Sequence, residues 1–296
     1  MNHHSNRREF LRQCGLAGSG IFFASDVAVG KPEASEKLFS AMGTSGTLDR
    51  AAALKALGAE FLTVGTGDLL VPDQPDEAFA KKFALLAASP LPVLACNGFI
   101  RPKHLRCVGE EANHDQVLEW SESAFRRLKQ VGGKFIVFGS GGSRELRNGW
   151  PKEKADAQFT ALLKRMGPLA EKHGITVVVE QLRATECNYI NRIGEAAALI
   201  RAAGHPNIRL LADLYHMAVM GDTPADLKAA MDVVRHVEIA EKTERTYPGV
   251  AGDDFRPFFK VLREAGYQGA ISIEGTGNDG QIANAFKEIA KQAAEA

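Results

Sequence analysis

Only 4 of the 296 residues are cysteine, and the spacing of Cys14, Cys96, Cys107 and Cys187 matches no thiolate metal site. Net charge is missing as well. Thirty-six Lys and Arg balance 36 Asp and Glu, so no overall field draws the chain to nucleic acid or to an anionic membrane. Beyond the N-terminus no apolar run is long enough to span a bilayer, which argues against stable membrane insertion. The early Gly-x-Gly-x-x-Gly fingerprint of dinucleotide-binding sheets is also lacking. A hydrophobic fraction of 45% leaves ample core for one large α/β domain or two smaller ones. A small neutral or weakly charged molecule suits such a chain better than a polyanion.

The first 30 residues read differently from the rest. Ser5–Gln13 carries Arg7 and Arg8 ahead of Phe10 and Leu11, followed by a weakly apolar, glycine-containing stretch. This resembles a twin-arginine export signal, with an extra Asn before the arginines and Arg12 where Lys is common. An amphipathic first helix is the competing reading, but so many glycines make a poor helix. The expectation is a signal segment over 1–30, export through the twin-arginine translocation machinery to the periplasm or beyond, and one catalytic domain over 31–296. Loss of Cys14 with the signal leaves three thiols, an odd number, with no catalytic role assigned to any.

From about residue 38 strand-like and helix-like segments alternate. Short runs rich in β-branched and aliphatic residues lie at 38–45, 60–65, 92–99, 134–140, 175–181, 208–214, 236–241 and 270–275. Amphipathic stretches separate them, several opening on Thr or Asp and closing at Gly as helices do. Eight such units over roughly 260 residues predict a (β/α)8 TIM barrel rather than a doubly wound sheet.

Four of the strand-like runs deliver an acid at or near their C-terminal end: Glu180, Asp213, Glu238 and Glu274. Residues two apart on a strand face the same side, so Val178 with Glu180, Leu211 with Asp213, His236 with Glu238, and Ser272 with Glu274 point inward together. Each acid alone is more often a helix cap or a surface ion pair. Four at equivalent places would repel one another at the mouth of a barrel unless a cation sat among them. Carboxylates without thiolates favour one hard divalent ion, Mn²⁺ or Mg²⁺, with Zn²⁺ also open.

The segments Glu-Gln-Leu-Arg-x-x-Glu (Glu180 to Glu186), Asp-Leu-Tyr-His (Asp213 to His216), His-Val-Glu-Ile-Ala-Glu with Arg-Thr-Tyr-Pro-Gly (His236 to Gly249) and Ile-Ser-Ile-Glu-Gly resemble the xylose isomerase-like sugar isomerases and epimerases. The ketose 3-epimerase and hydroxypyruvate isomerase branches are the most similar in appearance. The resemblance implies that Glu180, Asp213, Glu238 and Glu274 hold the metal. It also implies that Glu180 and Glu274 act as the acid and base pair, and that Glu186, His216, His236 and Arg245 touch a small sugar substrate. Two departures stand out. The family has His or Gln where Glu238 stands, so His236 is the alternative ligand, and Arg245 lies one residue beyond the usual spacing.

Other readings stay open at this point. The same acids could serve a lyase, dehydratase or glycoside-cleaving enzyme acting on 3-keto-sugars. A nuclease resembling apurinic endonucleases would need several His ligands and a basic groove, and a non-catalytic sugar binder would not need both Glu180 and Glu274. A homo-oligomer is neither required nor excluded. The loop Phe138 to Arg144 (Phe-Gly-Ser-Gly-Gly-Ser-Arg) either cradles a phosphate or simply lines the mouth. Trp120 reads as packing, Trp150 as packing or a sugar stack, and His104 and His114 as surface or capping residues.

Overall fold

Buried parallel strands must be apolar on both faces, and the segments found as strands answer to that rule. They are β1 Met42–Ser45, β2 Leu62–Gly65, β3 Val93–Asn97, β4 Phe135–Phe138, β5 Thr176–Glu180, β6 Ile208–Asp213, β7 Val234–Ile239 and β8 Ile271–Ile273. All pair in parallel in chain order, and β1 pairs with β8 through Met42 beside Ile271, so the sheet closes. This computed structural model describes residues 37–296; the expected signal with Arg7 and Arg8 lies outside the described residues. The expected (β/α)8 barrel is therefore the observed one, and an open doubly wound sheet is ruled out.

Helices α1 Ala51–Ala56, α2 Asp76–Leu85, α3 His114–Val131, α4 Lys152–His173, α5 Ile193–Ala203, α6 Pro224–Ala230, α7 Arg256–Glu264 and α8 Asp279–Glu295 follow the strands. Their ends follow local chemistry. At α8 the Asn278 side chain accepts from the Gln281 N–H at 3.0 Å, and α4 ends on Gly174 in the left-handed region. Among the described residues no helix is long and apolar enough to cross a membrane.

The main core lies between sheet and helices, where Trp120 is buried and its indole N–H donates to the Phe99 carbonyl at 2.8 Å. A second, smaller core fills the cylinder itself: Ala95, Val137, Val178 and Leu211, with Phe135 against them. Below it Phe61 reaches across Gly43, where a Cβ would fall 2.5 Å from the ring. The three described cysteines, Cys96, Cys107 and Cys187, are all free and buried, and burial pushes the Cys107 thiol up to about 11. They are packing residues, and burial raises the Cys96 and Cys107 thiols out of the nucleophilic range.

Candidate metal centre

Strand parity brings the four acids together. Glu180, Asp213, Glu238 and Glu274 each offer one oxygen within 4.8 Å of the others, above the Val178–Leu211 layer. Glu180 ends β5 and Asp213 ends β6. Glu238 stands beside Asp213 in the β6/β7 register, and Glu274 directly follows β8. Asp213 has two tasks. Its Oδ1 caps the short helix Leu214–Met220, accepting from the Tyr215 N–H at 2.7 Å, while its Oδ2 faces the site.

The acids differ in how well they are satisfied. Glu274 accepts from the Asn97 amide at 2.8 Å and from the Arg245 guanidinium. Arg245 reaches the acids because Glu244 and Arg245 both adopt positive φ, 55° each, which turns the loop inward. Burial opposes its charge, but Asp213, Glu274 and Glu180 outweigh that and hold it firmly protonated. Glu238 has no such support: it is fully buried and neither oxygen has a hydrogen-bond partner. Burial, then repulsion from Glu274, Glu180 and Asp213, pushes its carboxyl well above the usual range. Burial and Glu180 push Glu274 up to about 7, and burial raises Glu180 despite His216 nearby.

An orphaned carboxylate ringed by three others is the arrangement that a divalent cation relieves. The donor set fits such an ion, and oxygen donors suit a hard one. A second group, Glu180, Asp213 and His216, also converges. However, His216 Nδ1 accepts from the Arg183 backbone N–H at 3.1 Å, so in the neutral ring the proton sits on Nε2. That Nε2–H lies 3.4 Å from Glu180 and 3.6 Å from Asp213, which makes His216 a donor toward the site. Glu186 stands at the rim, paired with Arg183 at 2.7 Å and 3.7 Å from Arg245.

His236 is placed apart from these residues. Its ring stacks on Phe135 at 5.2 Å, is fully buried, and has no partner on either nitrogen. Its Nε2 comes no nearer than 4.0 Å to Glu238. Burial alone lowers its pKa to about 4. The strand-seven position facing the other acids thus carries Glu238, and His236, expected to touch substrate, belongs instead to the buried floor beneath, stacked on Phe135. The inward parity expected for both residues holds, but two residues along a strand span a whole layer of the barrel.

Outside the cluster, Lys154 lies over the Trp150 ring at 5.4 Å, and His114 bonds the Cys107 carbonyl at 2.9 Å. Two contributors went unread in the sequence. Asn97 ends β3 and grips Glu274 across the mouth. Glu241, fully buried, gathers the loop that carries Arg245, accepting from the N–H groups of Gly249 and Gly252 at 2.8 Å and the Thr246 hydroxyl at 2.9 Å. The apolar run ending in Asn97 was a usable signal for the first, and the run at 236–241, which ends on Glu241, for the second.

Residues 48–295 match the xylose isomerase-like TIM barrel family. The chain belongs to that family. Among curated members it is similar to the ketose 3-epimerase of Arthrobacter globiformis, 31% identical over 119 residues, 40% of this chain and 41% of that protein. It spans less than half the length of the curated relatives it matches. Among solved folds it is similar to the 3-keto-D-glucoside 4-epimerase of E. coli, with TM-score 0.68 and 23% identity over 83% of this chain and 97% of that one. It is also similar to the IolI protein with a bound zinc atom, TM-score 0.70 and 16% identity over 86% and 98%. At these identities the two structures speak to fold. The named relatives of this xylose isomerase-like barrel are isomerases and epimerases.

Proposed function

We propose that this chain is a metal-dependent sugar isomerase or epimerase that transfers a proton through an enediolate on a free, non-phosphorylated sugar or keto-sugar. One observation carries the reading: four converging carboxylates, one of them, Glu238, buried with both oxygens unpartnered. Glu180, Asp213, Glu238 and Glu274 would hold the ion. Bound there, a divalent cation supplies charge stabilisation for the two oxygens of an enediolate.

The chain's own groups supply the rest. Glu180 and Glu274 come from non-adjacent strands, so one can take a proton from carbon beside a carbonyl and the other return it on the opposite face. The His216 Nε2–H and the Arg245 guanidinium are the donors available to substrate oxygens, and Glu186 at the rim is the matching acceptor. Return to the same carbon gives an epimer, and return to its neighbour gives an isomer.

Metal analysis of the purified protein, joined to an NMR screen of free and 3-keto sugars in D₂O, tests this. Deuterium entering an intact sugar is the expected result. Release of a fragment would move the assignment to a lyase, and no exchange with any sugar would reject it. Export belongs to the same reading and is supported by the Arg7–Arg8 segment alone. Replacing both with Lys is expected to retain the protein in the cytoplasm on fractionation.

A further inference from the structure

The glycine-rich loop after β4 finds no place in the chemistry above, yet it touches Glu180 at two points. Gly139 has no side chain where one would collide: a Cβ there would fall 2.2 Å from Glu180 Oε2. Five residues on, Arg144 is fully buried, and its Nη2 donates to the Glu180 backbone carbonyl at 2.6 Å. The turn between them is tightly made. Ser140 sits at φ 40°, its Oγ accepts from the Ile100 N–H at 2.9 Å, and the short helix Gly141–Arg144 follows. Gly141 allows close approach to the next segment, since a Cβ there would lie 2.6 Å from the Glu186 carbonyl. The loop's Ser143 and Glu145 N–H groups are spent on Ser140 and Gly141 carbonyls, which counts against a phosphate cradle.

Arg144 is also an unusual cation. Its Nε and Nη1 are buried without a hydrogen-bond partner, and among the described residues it forms no ion pair. An isolated buried guanidinium is costly unless a nearby negative field offsets it. Such a field lies just beyond Glu180. Four carboxylates, one divalent ion and Arg245 leave one negative charge, and Arg144 supplies the matching positive one.

We propose that the Gly139–Arg144 loop is the seat of Glu180. In this assignment Gly139 provides room for the carboxylate, and Arg144 is a positioning residue that fixes the end of β5 and balances the charge of the acids. The assignment rests on the metal reading above but concerns residues that touch neither ion nor substrate.

The test is calorimetric titration of chelator-stripped protein with Mn²⁺, alongside thermal unfolding of the same samples, for wild type, Gly139→Ala, Arg144→Met and Arg144→Lys. At Gly139 the added methyl collides only with the carboxylate end of Glu180, with Leu182 Cδ2 in ordinary contact at 3.4 Å, so Gly139→Ala should keep the chelated Tm while Mn²⁺ affinity falls about 10–100-fold, the range for supports of metal ligands. Arg144→Met should show a similar loss of affinity, and Arg144→Lys should recover part of it. If Arg144→Met does not fold, Gly139→Ala decides alone. Wild-type Mn²⁺ affinity in Gly139→Ala overturns the seat. A wild-type protein that takes up neither Mn²⁺ nor Zn²⁺ overturns the metal reading itself, and the seat with it.

Discussion

Replacing Glu238 by Gln separates a buried charge from a buried shape. In the absence of a cation, two ionised carboxylates within 4.8 Å repel by about 3 kcal/mol at an effective dielectric near 20. Glu238 faces three such neighbours, so without an ion it is held protonated, and a neutral amide of the same size replaces it at little cost. The expected change in stability of the chelated Glu238→Gln protein is within about 1 kcal/mol, of either sign. The loaded protein behaves differently. At 100 times its dissociation constant an ion that binds only the folded state adds about 2.7 kcal/mol. For a domain of this size that corresponds to roughly 5–10 °C in Tm. Glu238→Gln should lose most of that gain. Differential scanning fluorimetry with EDTA and with Mn²⁺, on wild type and variant, reads both quantities. A variant that melts far below wild type in EDTA would mean that Glu238 is an ordinary structural partner. A variant that keeps the full Mn²⁺-induced gain would remove it from the ligand set.

Glu274→Gln should lower kcat by about 10²–10⁴-fold in a deuterium-exchange assay while some metal uptake persists, because the amide keeps an oxygen but cannot carry the proton. Glu241→Ala leaves the Gly249, Ala251 and Gly252 N–H groups without their acceptor, so it should cost about 2–4 kcal/mol and raise KM through a loosened Arg245. Hydrogen exchange confined to residues 242–253 would check it. His236, lowered to about 4 from 6.5, is neutral in the fold. The stability this carries is present above pH 6.5 and lost as pH falls through 4, about 3 kcal/mol in all. His236→Phe should remove that slope, so the difference between the two stability–pH curves between pH 6.5 and 4 isolates it; parallel curves would refute the buried neutral ring.

All eight strands were legible because a buried parallel strand writes itself as a continuous apolar run. Their ends were not. The last was expected to run through Gly275, whereas β8 stops at Ile273 and Glu274 stands on the loop beyond. The short helices Thr66–Leu69, Gly141–Arg144 and Leu214–Met220 were hidden for a related reason: one or two turns carry too few residues to show a period. Reading Asp213 as either a cap or a site residue posed a false choice, since its two oxygens divide the tasks. Parity predicted that His236 and Glu238 face inward, but depth within the cylinder is set by register between strands, which one sequence does not reveal. Asn97 acts on a residue 177 positions away, and Arg144 on one 36 away. Such partnerships exist only once the barrel has closed.

The aromatic floor formed by Phe61, Phe135 and His236 has a kinetic corollary. With Phe61 lying across Gly43, aromatic rings close the amino end beneath the acids, so in the proposed reaction sugar, ion and water would travel through the opposite rim. A hydrogen lifted from the bound molecule therefore escapes to the medium only past the loops bearing Arg183 and Arg245. For the proposed proton transfer, the ease of passage through that rim would set how much of the original isotope returns to carbon and how much is exchanged for that of the solvent.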